Sequence, residues 1–160
     1  ENINLMVDKA SVAAQTIKGV LNQHVVYYSK QFDDQTARNE ELKRDLKLAI
    51  KNDEFVAFYQ PKVDINSGKL VGAEALIRWQ TKDNRLIPPG DFIPLSEKTG
   101  LVTDLDMIVF EKVLAFLRRS LDEGIECVPI SVNFSRLHFS NEKFLPTLLQ
   151  KWKNIRCQRI

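Results

Sequence analysis

The sequence predicts an α/β fold in which an antiparallel hairpin is followed by alternating helices and parallel strands. Two strand-like segments, residues 55–63 and 70–79, are separated by a short Asp-Ile-Asn-Ser-Gly segment. That connection is too short for a helical crossover, so the two strands should pair antiparallel. A helix, a strand and a second helix are predicted beyond the hairpin, and this alternation is typical of parallel sheets covered by helices.

The composition is that of a globular domain and excludes several classes of protein. Apolar residues make up 44% of the 160 residues, and 23 Lys and Arg oppose 21 Asp and Glu. This balance predicts neither nucleic acid nor an anionic membrane as a partner. No uncharged apolar run approaches the roughly 18 residues of a membrane span. Two cysteines outside any Cys-x-x-Cys pair are typical of a reducing compartment, so we expect a cytoplasmic chain, whose parent protein could still carry a membrane anchor.

The first part of the chain is predicted to belong to a different domain. Residues 8–21 have the apolar period of a helix, and residues 24–32 have strand character, but nothing nearby could complete a sheet around them. Residues 34–51 form a charged helix with a narrow apolar stripe, which is suited to linking domains. We therefore predict a domain remnant at 1–36, a linker helix and domain start at 37–53, and the main domain at 54–160. The chain lacks an initial Met and ends on a strand-like segment, so we expect a piece of a longer protein.

The remaining elements follow from turn and capping signals. A Pro-rich connection covers residues 87–94, and residues 95–100 are predicted to form one or two helical turns. A longer helix should begin at Thr103, with Asp106 as an acidic variant of the capping box, and end near Gly124. Residues 127–134 are predicted to form the third strand, and residues 141–152 the last helix.

Polar side chains on the predicted strands are the first sign of a functional site. Strand alternation places Gly72, Glu74, Leu76 and Arg78 on one face of the second strand. Burying a carboxylate and a guanidinium between apolar residues costs desolvation free energy unless the two groups pair or bind a ligand. One interpretation is a mutual ion pair of Glu74 with Arg78 inside a barrel. The other is a binding site.

Asn133 and Gln60 extend this polar set. Asn133 lies at the carboxyl end of the third strand, where ligands collect in α/β folds, although an amide there could equally shape the turn. Gln60 lies near the end of the first strand. Carboxylate and amide oxygens suit Mg²⁺ or Mn²⁺ rather than zinc, and a guanidinium suits phosphate. The pattern therefore favours a metal-assisted phosphate site.

Three other features have ordinary interpretations. His24 and His138 are predicted to be surface or partly buried residues, because neither has other ligand types nearby in the sequence. Cys127 should open a buried strand rather than react. The basic segment at 151–159 is interpreted as a solvated helix end, not as a nucleic-acid contact.

Several linked motifs resemble those of the EAL domain family. They are Tyr59-Gln-Pro61, Glu74-Ala-Leu-Ile-Arg-Trp79, Pro89-Gly-Asp-Phe-Ile-Pro94 and Ser131-Val-Asn-Phe-Ser135, and the resemblance covers roughly residues 42–160. It implies a cyclic di-GMP phosphodiesterase that forms pGpG with Mg²⁺ or Mn²⁺ on a modified TIM barrel whose first strand is antiparallel. It also implies that Glu74 and Asn133 are metal ligands, that Arg78 contacts a substrate phosphate, and that Gln60 and Leu76 line the ligand site.

The resemblance also implies that the site is incomplete in this chain. Members of the family continue through a further glutamate strand, a paired-aspartate loop and a catalytic lysine, and a full barrel takes about 250 residues. We expect a partial barrel, truncated after about three strands and inactive alone, preceded by a segment similar to the end of a degenerate GGDEF domain. The alternatives are a non-catalytic cyclic di-GMP receptor or regulatory module, and a half-barrel whose open edge is covered by a second copy or another chain.

Overall fold

The computed structural model describes residues 2–16 and 25–156, which fall into two compact units, Glu1–Arg44 and Asp45–Ile160. The helices are α1 (Ile3–Thr16), α2 (Lys30–Lys51), α3 (Pro89–Thr99), α4 (Val102–Asp122) and α5 (Phe144–Arg156), with one 3₁₀ turn (Arg136–Ser140). The strands are β1 (Phe55–Val63), β2 (Leu70–Gln80), β3 (Leu86–Ile87) and β4 (Ile130–Val132). None of the helices in the described ranges is long and apolar enough to cross a membrane.

The first unit is helical. Helix α1 begins five residues before the position predicted for it, and residues 17–21 of the predicted helix lie outside the described residues. The strand character expected at 24–32 does not become a strand in the described residues 25–32, where irregular chain leads into α2. An isolated strand has no partner for its backbone groups, so it gives way to the helix. The charged helix predicted at 34–51 is confirmed and begins four residues earlier.

The sheet of the second unit has β2 at its centre. Strand β1 pairs antiparallel with β2, which confirms the predicted hairpin, and β4 pairs parallel with β2 on the other side. Strand β3, which the sequence did not predict, pairs antiparallel with the last residues of β2. Strand β4 is shorter than the predicted segment 127–134. Pro129 has no N–H to donate to the ladder, and its carbonyl accepts the Ala73 N–H at 2.9 Å just before the strand begins.

The helices around the sheet are confirmed with shifted bounds, and α5 begins three residues and ends four residues later than predicted. Helix α3 begins at Pro89, well before residue 95, because proline is well suited to the first position of a helix. It ends at Gly100, whose φ of 78° is left-handed. The predicted capping box at the start of α4 is wrong. The Thr103 hydroxyl donates to the Gly100 carbonyl at 2.9 Å, and the Asp106 carboxylate instead contacts the segment after β4.

The apolar core lies between α4 and one face of the sheet. Buried residues of this layer include Ala75 on β2 and Val109 and Val113 on α4. A second cluster joins Phe55, Trp79 and Phe92, whose ring centroids are 5.6–5.9 Å apart. The opposite face of the sheet is the polar one. Helices outside and a polar face inside make this unit part of a TIM-barrel-like α/β barrel with an antiparallel first strand, as the sequence predicted.

Candidate metal and phosphate site

Glu74 and Asn133 lie together on the polar face of the sheet. The Asn133 Nδ2 atom donates to Glu74 Oε1 at 2.7 Å, although the two residues are 59 positions apart. Parallel pairing of β2 with β4 places Ser131 opposite Glu74 and brings Asn133, one residue beyond β4, within reach of the Glu74 side chain. The Glu74 side chain is 32% exposed. The structure therefore brings the two expected metal-ligating residues into direct contact.

Lys62 is a neighbour of Glu74 that the sequence analysis did not identify. Its Nζ lies 3.9 Å from Glu74 Oε2 and donates to the Ser131 hydroxyl at 2.7 Å. Lys62 is two residues beyond Gln60 on β1, so strand alternation applied to β1 would have placed it on the polar face. The lysine side chain is 50% exposed, and such a pair contributes at most about 1 kcal/mol to stability. The main effect of Lys62 is to place its positively charged ammonium group beside the Glu74 carboxylate.

Arg78 is on the same face but has different partners. Its Nη1 donates to the Ile77 carbonyl at 2.8 Å, and its guanidinium lies 5.6 Å from the Phe58 ring centroid. The ion pair with Glu74 considered from the sequence is absent from the described part of the chain. Four residues of a strand span about 13 Å, which is too far for these two side chains to meet.

Leu76, Arg78 and Asn133 line a cleft of about 330 Å³ at the carboxyl end of β2 and β4. Its other walls come from α3, α4 and the segment after β4, including Glu97 and Asp106. Gln60 pairs with Glu74 across the hairpin and is exposed, but it does not line this cleft. The cleft thus combines a guanidinium, an amide, carboxylates and apolar walls.

Asp106 and His138 form a partly buried pair beside the cleft. The Asp106 Oδ2 atom accepts the Ser135 N–H at 2.7 Å and lies 3.1 Å from His138 Nε2. An ionised Asp106 would accept this bond from the Nε2–H tautomer of His138. Burial raises the pKa of Asp106 above its usual range, and the Ser135 N–H and His138 offset only part of the rise.

His138 is more buried than the sequence suggested. The residue is 5% exposed, and its ring stacks on Phe144 with centroids 4.2 Å apart and meets Phe134 edge-on. The second histidine of the chain, His24, was also predicted to be at or near the surface, but it lies outside the described residues. Cys127 is partly exposed and precedes β4 instead of opening it.

A sequence profile decides the family. The profile of the EAL domain matches residues 43–159, most of the chain and nearly all of the second unit. The chain belongs to the EAL domain family. In this EAL segment the motif for which the family is named falls on β2, and its glutamate is Glu74.

Relatives of known description agree with this assignment. Over 101 residues, the EAL segment is 40% identical to the bifunctional diguanylate cyclase/cyclic di-GMP phosphodiesterase MucR of Pseudomonas aeruginosa, covering 63% of this chain and 15% of MucR. It is 36% identical over 104 residues to the probable cyclic di-GMP phosphodiesterase PdeG of Escherichia coli, covering 65% of this chain and 20% of PdeG. A solved structure described as the PaMucR phosphodiesterase in complex with c-di-GMP matches with a TM-score of 0.61 and 36% identity, over 74% of this chain and 46% of that one.

The EAL segment is short compared with its relatives. The chain spans only 22%, 18% and 15% of the length of three curated proteins that it matches. It covers less than half of the PaMucR phosphodiesterase structure.

The oxygen donors of the EAL segment suit part of the coordination shell of a hard cation. Glu74 offers a carboxylate, and the Asn133 amide oxygen is bonded to the same carbon as the nitrogen that contacts Glu74. In residues 2–16 and 25–156, no group of three or more His, Cys, Asp and Glu side chains converges to hold a metal. Since Mg²⁺ is octahedral, two ligands leave room for substrate oxygens, water and further protein groups.

Proposed function

We propose that the protein containing this chain hydrolyses cyclic di-GMP to pGpG by metal-assisted phosphodiester hydrolysis. The observation that carries the proposal is the 2.7 Å contact between Glu74 in the middle of β2 and Asn133, one residue beyond the carboxyl end of the parallel strand β4. Membership of the EAL family and the descriptions of MucR and PdeG as phosphodiesterases support it.

Glu74 and Asn133 are the proposed ligands of Mg²⁺ or Mn²⁺. When bound, such an ion supplies Lewis acidity at a phosphate oxygen and lowers the pKa of a bound water. Rotation of the Asn133 amide by about 180° around its Cβ–Cγ bond would turn its oxygen toward a cation beside Glu74. The Glu74 carboxylate supplies the negative charge. Lys62, 3.9 Å from Glu74, balances that charge when no cation is present.

Arg78, Leu76 and Gln60 are the proposed contacts to the dinucleotide. The planar guanidinium of Arg78 can bond two phosphate oxygens at once, and its position over Phe58 restricts its orientation. Leu76 offers an apolar wall of the cleft to a base or ribose. Gln60, opposite Glu74 on β1, offers an amide on the other side of the carboxylate.

The organisation of the chain is part of the proposal. We assign residues 1–36 to the end of a GGDEF-like domain, 37–53 to a linker helix and domain start, and 54–160 to the first half of the EAL domain. The division of the chain within α2 and the bifunctional description of MucR support this assignment. In the described residues, the outer edges of β1 and β4 have no partner strand. Further strands, from the same protein or from a second copy, would cover them.

The chain alone is expected to produce no pGpG. Two ligands do not complete a metal-assisted site that must also activate water and stabilise the leaving group. Purified chain would be incubated with cyclic di-GMP and Mn²⁺, and the products separated by anion-exchange chromatography beside an active EAL phosphodiesterase as a positive control. Formation of pGpG that disappears in Glu74→Gln would show that the chain already holds a complete site.

A further inference from the structure

We propose that Asp106 is a positioning residue that fixes the segment after β4 so that Asn133 stays against Glu74. The inference rests on the proposed role of Asn133 as a metal ligand. It assigns no contact with substrate to Asp106, because the carboxylate is only 16% exposed and its Oδ2 atom already contacts Ser135 and His138.

The need for such a residue comes from the short length of β4. The strand ends at Val132, so Asn133 lies outside the ladder, and strand pairing does not fix its position. Residues 133–135 are irregular and lead directly into the 3₁₀ turn. Something other than the sheet must determine where the Asn133 side chain points.

Asp106 attaches this segment to α4 at two points. One carboxylate oxygen accepts the Ser135 N–H at 2.7 Å, two residues after Asn133, and the same oxygen lies 3.1 Å from His138 Nε2 in the following turn. The Asp106 side chain is only 16% exposed, so water competes weakly for these bonds.

The far side of the segment is held by packing. His138 contacts the rings of Phe134 and Phe144, which also contact each other, and it is 5% exposed. The Ser135 hydroxyl accepts the Leu137 N–H at 3.3 Å and caps the 3₁₀ turn. Ser135 and His138, the two residues that contact Asp106, are therefore held by local packing and capping. The Asp106 carboxylate sets their distance from α4.

The test compares Asp106→Ala with Asp106→Asn, which keeps an oxygen that can accept the Ser135 N–H. Two-dimensional NMR of the chain would follow the Asn133 side-chain amide and hydrogen exchange at Ser135. In Asp106→Ala we expect the Asn133 amide to move to the shift of a solvated amide, Ser135 to exchange at least about tenfold faster, and Mn²⁺ affinity to fall about tenfold. Asp106→Asn should restore most of each value. Asp104→Ala, an exposed carboxylate on the same helix, should change none of them.

A second variant keeps the test decisive if Asp106→Ala does not fold. Ser135 has φ of −63°, which proline adopts, so Ser135→Pro removes the donated N–H without a change in this backbone angle, and Ser135→Ala, which loses only the hydroxyl cap, is its control. It should displace the Asn133 amide in the same way. An unchanged Asn133 resonance and unchanged Mn²⁺ affinity in a folded variant would overturn the proposal. If the unmodified chain binds no Mn²⁺, the proposed function fails, while the NMR comparison still decides the role of Asp106.

Discussion

Replacement of Glu74 by glutamine is expected to weaken Mn²⁺ binding by the chain about 30-fold or more, equivalent to about 2 kcal/mol. Glutamine has nearly the same shape and can still accept the Asn133 N–H, but it has no negative charge. A charge pair at 4 Å near a protein surface interacts by about 4 kcal/mol, so losing the carboxylate removes the largest attraction that the site offers a cation. The measurement is titration of free Mn²⁺ by electron paramagnetic resonance.

The matched control for this substitution is Glu97→Gln. Glu97 lies in the wall of the cleft that Arg78 and Asn133 line, and it is exposed, but it is not a proposed ligand. Its replacement removes one unit of charge from the cleft and should lower Mn²⁺ affinity no more than about threefold, because exposed charges are screened. Equal losses in the two variants would mean that the cleft attracts cations only through its general charge, and the assignment of Glu74 as a ligand would be wrong.

Replacement of Phe92 by alanine is expected to lower the free energy of unfolding by about 3–5 kcal/mol. Phe92 is 0% exposed, and its ring contacts Phe55 of β1 and Trp79 of β2 at centroid distances of 5.6 and 5.9 Å. The truncation therefore leaves a cavity where α3 meets the hairpin. Urea unfolding followed by tryptophan fluorescence and by circular dichroism would measure the change.

Phe139→Ala is the control for the aromatic cluster. Phe139 is 78% exposed, so its loss should alter stability by less than about 0.5 kcal/mol. A similar small change in Phe92→Ala would contradict the packing described between α3 and the hairpin.

The hairpin and the polar face could be predicted because both depend on short-range patterns. The short connection between β1 and β2 left antiparallel pairing as the only topology, and the period of two placed Glu74, Leu76 and Arg78 on one face. The same reasoning placed Asn133 at the end of β4. The contact of Asn133 with Glu74 depends on the register in which β4 pairs with β2. The sequence predicted parallel strands but not that register.

The parts that could not be predicted depend on contacts between distant segments. Asp106 satisfied the local rule for a capping residue, but the Ser135 N–H, 29 residues away, is its partner in the fold. Thr103 differs, because its partner is local: its hydroxyl bonds back to the Gly100 carbonyl, three residues earlier, rather than forward to Asp106. His138 had no ligand-type neighbours in sequence, and its burial against Phe134 and Phe144 arises only when α5 packs beside the segment after β4. Local signals were overridden where tertiary partners offered better bonds.

Equilibrium dialysis of cyclic di-GMP against the purified chain, with and without Mn²⁺, tests the central claim most directly. The claim is that Glu74, Asn133 and Arg78 form a joint site for a cation and a phosphodiester. It predicts saturable binding of one dinucleotide that Mn²⁺ strengthens at least about tenfold, or about 1.4 kcal/mol. Binding that is absent from the folded chain, or equally strong with and without Mn²⁺, would contradict it.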